Sequence, residues 1–68
     1  MRLRDLREDG DLKQKDIAEY LHIAQNTYSQ YENGTRSLPI EILIKLASYY
    51  NVSTDYLLGL TDNPKRNI

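Results

Sequence analysis

Apolar residues in this chain recur at three- and four-residue spacings, broken by polar pairs or glycine, which is the pattern of short helices. Leu3 and Leu6 predict a first helix from about Arg2 to Asp9, with Gly10 available for the left-handed residue that ends many helices. Ile17, Ala18 and Leu21 form one face of a second helix from about Gln14 to Leu21, and Lys15, Asp16 and Glu19 fall off that face. A third helix runs from near Gln25 to near Glu32 and meets Asn33-Gly34, a stop signal in which either residue tolerates positive φ. Pro39 suits the first turn of a fourth helix whose Ile40, Leu43, Ile44 and Ala47 make an apolar stripe, and Asn51 can close it. Ser53 is placed as the N-cap of a short fifth helix carrying Tyr56, Leu57 and Leu58 as packing residues, and Gly59 ends it. No stretch alternates like a strand, so the expected fold class is all-α: five short helices over residues 1–60, then a polar tail over 61–68.

The second and third helices are separated only by His22, Ile23 and Ala24. That is too short for antiparallel packing and suits the roughly 90–120° crossing of a helix-turn-helix. A small residue at Ala18 lets the two helices approach closely. At about 100° per residue, the third helix gathers Gln25, Asn26, Ser29, Gln30 and Asn33 within roughly 140°, and sends Tyr28 and Tyr31 to the other side. An ordinary solvated face carries lysine and glutamate; this one is polar and uncharged. Its amides and hydroxyl both donate and accept hydrogen bonds, which is what reading the edges of bases in a DNA major groove requires.

Charge sharpens that picture by what it withholds. The net charge over the 68 residues is −1, so the bulk basicity that usually marks a nucleic-acid binder is missing. Between residues 13 and 36, Lys13, Lys15 and Arg36 are matched by Asp16, Glu19 and Glu32. DNA affinity must then come from local placement of charge. The free backbone donors and positive dipole end at Gln14 supply one such anion site, with Lys13 and Lys15 beside it. With no cysteine, thiolate metal sites and disulfides are excluded, and the lone His22 is a poor ligand better read as a turn residue. No nucleophilic triad or phosphate-cradling glycine loop is present, so an enzyme is not expected. No apolar run spans a bilayer and the N-terminus lacks a signal-peptide core, so the chain is expected in the cytoplasm, without a sensor domain.

The run LKQKDIAEYLHIAQNTYSQYENGTRSLPIEILIKLASYYNVSTDYLLG, residues 12–59, resembles the lambda-repressor-like family of Cro-type and xenobiotic-response-element-type transcriptional regulators. Gln14, Ala18, the Tyr-Glu-Asn-Gly stop at 31–34 and the Asp-Tyr-Leu-Leu-Gly ending at 55–59 carry the likeness. The resemblance implies that Gln25, Asn26, Ser29 and Gln30 read base edges. It implies that Gln14, Thr27, Asn33 and Arg36 touch phosphates, and that Arg7 forms an ion pair with Glu32. The implied partner is double-stranded DNA, a palindromic operator bound by a homodimer at half-sites about one helical turn apart. No cofactor, metal, membrane or small-molecule ligand is implied.

Three positions depart from that family's pattern: His22 stands for a common glycine, and Lys13 and Ala24 for serine or threonine caps. A missing hydroxyl cap costs about 0.5–2 kcal/mol, so modest stability is expected unless neighbours substitute. The Tyr49-Tyr50 pair and Leu57–Leu60 are candidates for a dimer surface, against the plainer reading that they close the core. The neutral motif also leaves open a protein-interaction module or antitoxin-like partner on the same fold.

Overall fold

Five α-helices follow one another through the computed structural model, which describes residues 1–65. They are α1 (Leu3–Asp9), α2 (Gln14–Leu21), α3 (Gln25–Asn33), α4 (Ile40–Tyr50) and α5 (Thr54–Leu58). No strand occurs among the described residues. The all-α expectation holds, with α2 packed on α3 and α4 on α5. Leu3, Ile17, Ala18, Leu21, Tyr28, Tyr31, Leu46, Ala47 and Leu57 form the buried cluster that joins all five. No described helix is long and apolar enough to cross a membrane.

All five helices stop the same way. A left-handed residue follows or nearly follows each one: Asp11 (φ 56°), His22 (58°), Gly34 (79°), Asn51 (56°) and Gly59 (84°). The next amide then reaches back to a carbonyl five residues earlier: Leu12 to Arg7 at 3.0 Å, Ile23 to Ala18 at 3.0 Å, Thr35 to Gln30 at 3.0 Å, Val52 to Ala47 at 2.9 Å and Leu60 to Asp55 at 2.9 Å. These bonds satisfy carbonyls that a helix end leaves without partners. His22, Asn51 and Gly59 take the stopping roles read from the sequence.

Gly10 does not. It keeps φ −89°, and Asp11 turns left-handed in its place. Stopping one residue later puts Leu12, and not the charged Asp11, at the position that closes apolar contact back onto the helix. Leu12 packs against the core from there. Aspartate accepts the strained conformation because its short polar side chain is among the few tolerated in it.

Two expectations for α4 also need correction. Pro39 is the N-cap, in extended backbone just outside the helix, and not a residue of its first turn. The buried face is Leu46 and Ala47 flanked by Ile42, Leu43 and Tyr50, whereas Ile40 and Ile44 are 66% and 54% exposed. Of the dimer candidates, Leu57 is fully buried and Tyr50 packs on the core, while Tyr49 and Leu60 are exposed.

α5 begins as expected, with Ser53 Oγ accepting from the Tyr56 amide at 3.0 Å. Arg2, expected inside the first helix, is its N-cap, and it binds the two ends of the chain together. Its amide donates to Leu57 O at 2.9 Å, and its guanidinium donates to Tyr56 O, Thr61 O and Asp62 Oδ1 at 2.9–3.0 Å. Ser53 N also donates to Pro64 O at 3.0 Å. The last part of the tail, residues 66–68, lies outside the described residues.

Candidate nucleic-acid interface

α3 divides into two faces because its tyrosines have somewhere to go. Tyr28 is wholly buried and Tyr31 is 7% exposed, and burying aromatics of this size fixes the rotation of the helix about its own axis. Gln25 and Asn26 are thereby turned to solvent, with Ser29 and Gln30 half-exposed beside them. From α2, Gln14 comes alongside, so that Gln14, Gln25, Asn26 and Ser29 line one shallow concavity. Four of the residues singled out in the sequence are thus brought together by the crossing of two helices.

The turn that sets this crossing is tight. His22 is left-handed with its side chain exposed, and Ala24 is extended as the N-cap of α3. Ala24 offers no side-chain cap, and none closes the start of α2. At α2 a neighbour substitutes in part: Asp16 Oδ2 accepts from the Lys13 amide at 3.0 Å. Lys13 and Lys15 are exposed at that end. The first-turn amides of both helices are left without side-chain acceptors, which is an arrangement suited to anionic oxygens.

Beneath the polar face lies a charged group with no access to solvent. The Glu32 side chain is 0% exposed, and it accepts from Arg7 Nε at 2.6 Å and Arg7 Nη2 at 3.2 Å. Arg7 Nη1 donates to Leu12 O at 2.9 Å, and Arg4 approaches Glu32 at 3.8 Å. Burial works to raise the Glu32 pKa, but the hydrogen bonds, that from Arg7 foremost, outweigh it and hold the carboxyl below its ordinary value. The same contact raises the Arg7 guanidinium. Burial and the neighbouring Glu32 charge push the Tyr28 hydroxyl well above its usual range.

Gln14 is held by this buried pair: its Nε2 donates to Glu32 Oε1 at 3.2 Å. A side chain read only as a phosphate contact therefore also ties the start of α2 to the end of α3. Thr27 is half-buried and off the polar arc, and Asn33 and Arg36 are exposed at the far end of α3. Arg36 does not stand alone there, for its Nε donates to Gln30 Oε1 at 2.7 Å. Helical spacing gives no hint of that pair, because it depends on the chain reversing at Gly34.

A family model described as helix-turn-helix matches residues 3–57. Among curated proteins, the HTH-type transcriptional regulator ImmR of Bacillus subtilis is 44% identical over 66 residues, covering 97% of this chain and 52% of that protein. The cryptic phage CTXphi transcriptional repressor RstR of Vibrio cholerae is 43% identical over 51 residues, covering 75% and 46%. Antitoxin PezA of Streptococcus pneumoniae is 35% identical over 57 residues, covering 84% and 36%. The chain spans about half the length of curated relatives it matches. No solved structure matches it significantly.

Proposed function

This chain belongs to the helix-turn-helix family whose model matches residues 3–57, and from that membership we propose that it is a sequence-specific DNA-binding transcriptional regulator, a repressor, that lays α3 in the major groove of an operator. The observation that carries the reading is the uncharged polar face of α3, with Gln14, Gln25, Asn26 and Ser29 around one concavity. Gln25, Asn26, Ser29 and Gln30 read base edges. Lys13, Gln14, Lys15, Thr27, Asn33 and Arg36 contact phosphates, helped by the uncapped helix starts. Residues 1–60 form the binding domain, and it acts in the cytoplasm as a homodimer on a palindromic site. Likeness to proteins named as a transcriptional regulator and a transcriptional repressor supports the regulatory role.

With a net charge of −1, non-specific attraction to DNA is weak, so discrimination comes from the amide face. Selection of bound duplexes from a random pool tests the proposal: a recovered palindrome supports it, and recovery of no common sequence at low salt defeats it. A second reading, an antitoxin-like interaction module, draws on the likeness to antitoxin PezA. It is favoured if a protein partner binds tightly and the Gln25→Ala, Gln30→Ala double variant leaves that binding unchanged.

A further inference from the structure

Gln30 and Arg36 are six residues apart, and a continuing helix would carry them about 120° from each other. The left-handed Gly34 turns the chain back instead. Thr35 N and Thr35 Oγ1 both donate to Gln30 O, at 3.0 Å and 3.4 Å, and these bonds draw the following residue over the last turn of α3. Arg36 Nε then donates to Gln30 Oε1 at 2.7 Å. A residue of the base-reading set and a residue of the phosphate-contacting set are in this way one unit.

The chemistry of the pair fixes which end of the amide faces out. A guanidinium has five donors and no acceptor. While the pair stands, Gln30 must turn its oxygen to Arg36 and leave its Nε2 hydrogens free. The bond carries a full positive charge, which makes it stronger than one between neutral groups and draws electron density from the oxygen's remaining lone pair.

We infer that Arg36 is a positioning residue that sets sequence preference: by holding Gln30 Oε1 it makes Gln30 a donor to the major groove, selecting guanine or thymine over adenine. Adenine needs the amide oxygen to accept from N6 while the nitrogen donates to N7, whereas guanine N7 and O6 and thymine O4 only accept. The inference rests on the DNA-binding reading above. It departs from a purely phosphate-contacting Arg36, which would add affinity equally to every sequence.

Selection from a random duplex pool with the unaltered chain, Gln30→Ala, Arg36→Lys and Arg36→Ala tests it. The base pair whose preference Gln30→Ala abolishes is the one that Gln30 reads, and the unaltered chain is expected to choose guanine or thymine there. Arg36→Lys keeps the charge but replaces the planar fork by a mobile point charge. It is expected to shift preference at that pair toward adenine by about fivefold or more, leaving the other pairs unchanged. Arg36→Ala should give the same shift with a uniform loss of affinity added, and neither change should alter that pair in a Gln30→Ala background. The inference is overturned if the unaltered chain selects adenine at that pair, if Gln30→Ala affects no pair, or if both Arg36 variants leave the preference intact. A chain that selects no sequence at all overturns the DNA-binding reading itself, and the inference with it.

Discussion

Arg7 and Glu32 meet across 25 residues of chain through two hydrogen bonds, Nε to Oε2 at 2.6 Å and Nη2 to Oε1 at 3.2 Å, with the carboxylate sealed from solvent. A carboxylate in that position is stable only while it is paired. Arg7→Ala would leave the charge buried and under-satisfied and is expected to lower unfolding free energy by about 3 kcal/mol in urea denaturation. The double change Arg7→Met, Glu32→Leu removes both charges and is expected to be milder than Arg7→Ala alone. A double variant that is worse than the single one would refute this account of the pair.

The pair also sets an acid limit. Glu32 is held below its ordinary value of 4.5, burial opposing the shift and the Arg7 hydrogen bond leading the groups that produce it. A carboxyl lowered in the folded state adds stability that is full above its unfolded value and disappears as pH falls through the folded one. The stability gap between the unaltered chain and Glu32→Gln should therefore be constant near neutrality and narrow below about pH 4.5. Denaturation curves for both proteins across that range measure it, and a gap that stays constant into acid would contradict it.

At the polar face, substitutions should separate by kind. Gln25→Ala is expected to relax preference at one base pair by about 1–3 kcal/mol, and the Lys13→Ala, Lys15→Ala double variant to weaken all sequences alike. The lysine variant should also flatten the dependence of log affinity on log salt by about one unit per lysine. Equal losses on every operator for Gln25→Ala would remove it from the base-reading set.

The start of α3 is open to improvement. Ala24 already has the extended backbone of an N-cap but no oxygen to offer, so Ala24→Ser is expected to stabilise the domain by about 1 kcal/mol in thermal melts. An unchanged melting temperature would mean that other groups already satisfy those amides.

The strained turn offers a separate gain. His22 holds φ 58° with its side chain exposed, so His22→Gly relieves a left-handed residue without losing core contact. A gain of about 0.5–1 kcal/mol is expected after the added freedom of the unfolded glycine is offset. A loss in the same melts would assign the imidazole a packing role that its exposure does not suggest.

The start of α5 and three of the helix stops were legible because they depend on single residues: Ser53 has a hydroxyl, and Asn51, Gly59 and His22 accept positive φ. The rotation of α3 was legible too, since two tyrosines share one side of an otherwise polar helix. α4 was legible too, but only from its polar side. At about 100° per residue Ser48, Glu41 and Lys45 share an arc of about 60°, with Leu43, Leu46, Ala47 and Tyr50 opposite it and Ile40 and Ile44 on its border. A stripe taken from apolar spacing alone therefore runs along the edge of the buried face rather than its centre. The left-handed Asp11 escaped because the choice there turned on which residue, Asp11 or Leu12, would pack back on the core. At the interface, residue types announced the face, and the Arg7–Glu32 pair followed from family resemblance. The Gln30–Arg36 bond had no local signature, since it exists only after Gly34 reverses the chain.

The two sides of α3 answer to different constraints. Tyr28 and Tyr31 are locked in the interior, while Gln25 and Asn26 are exposed. On the proposed reading, a substitution at either of those outward positions would rewrite what is recognised without disturbing what is folded. Such a helix behaves like a key whose bow is fixed and whose teeth can be recut, so duplicated copies of a chain like this can diverge to new targets in single, individually tolerated steps.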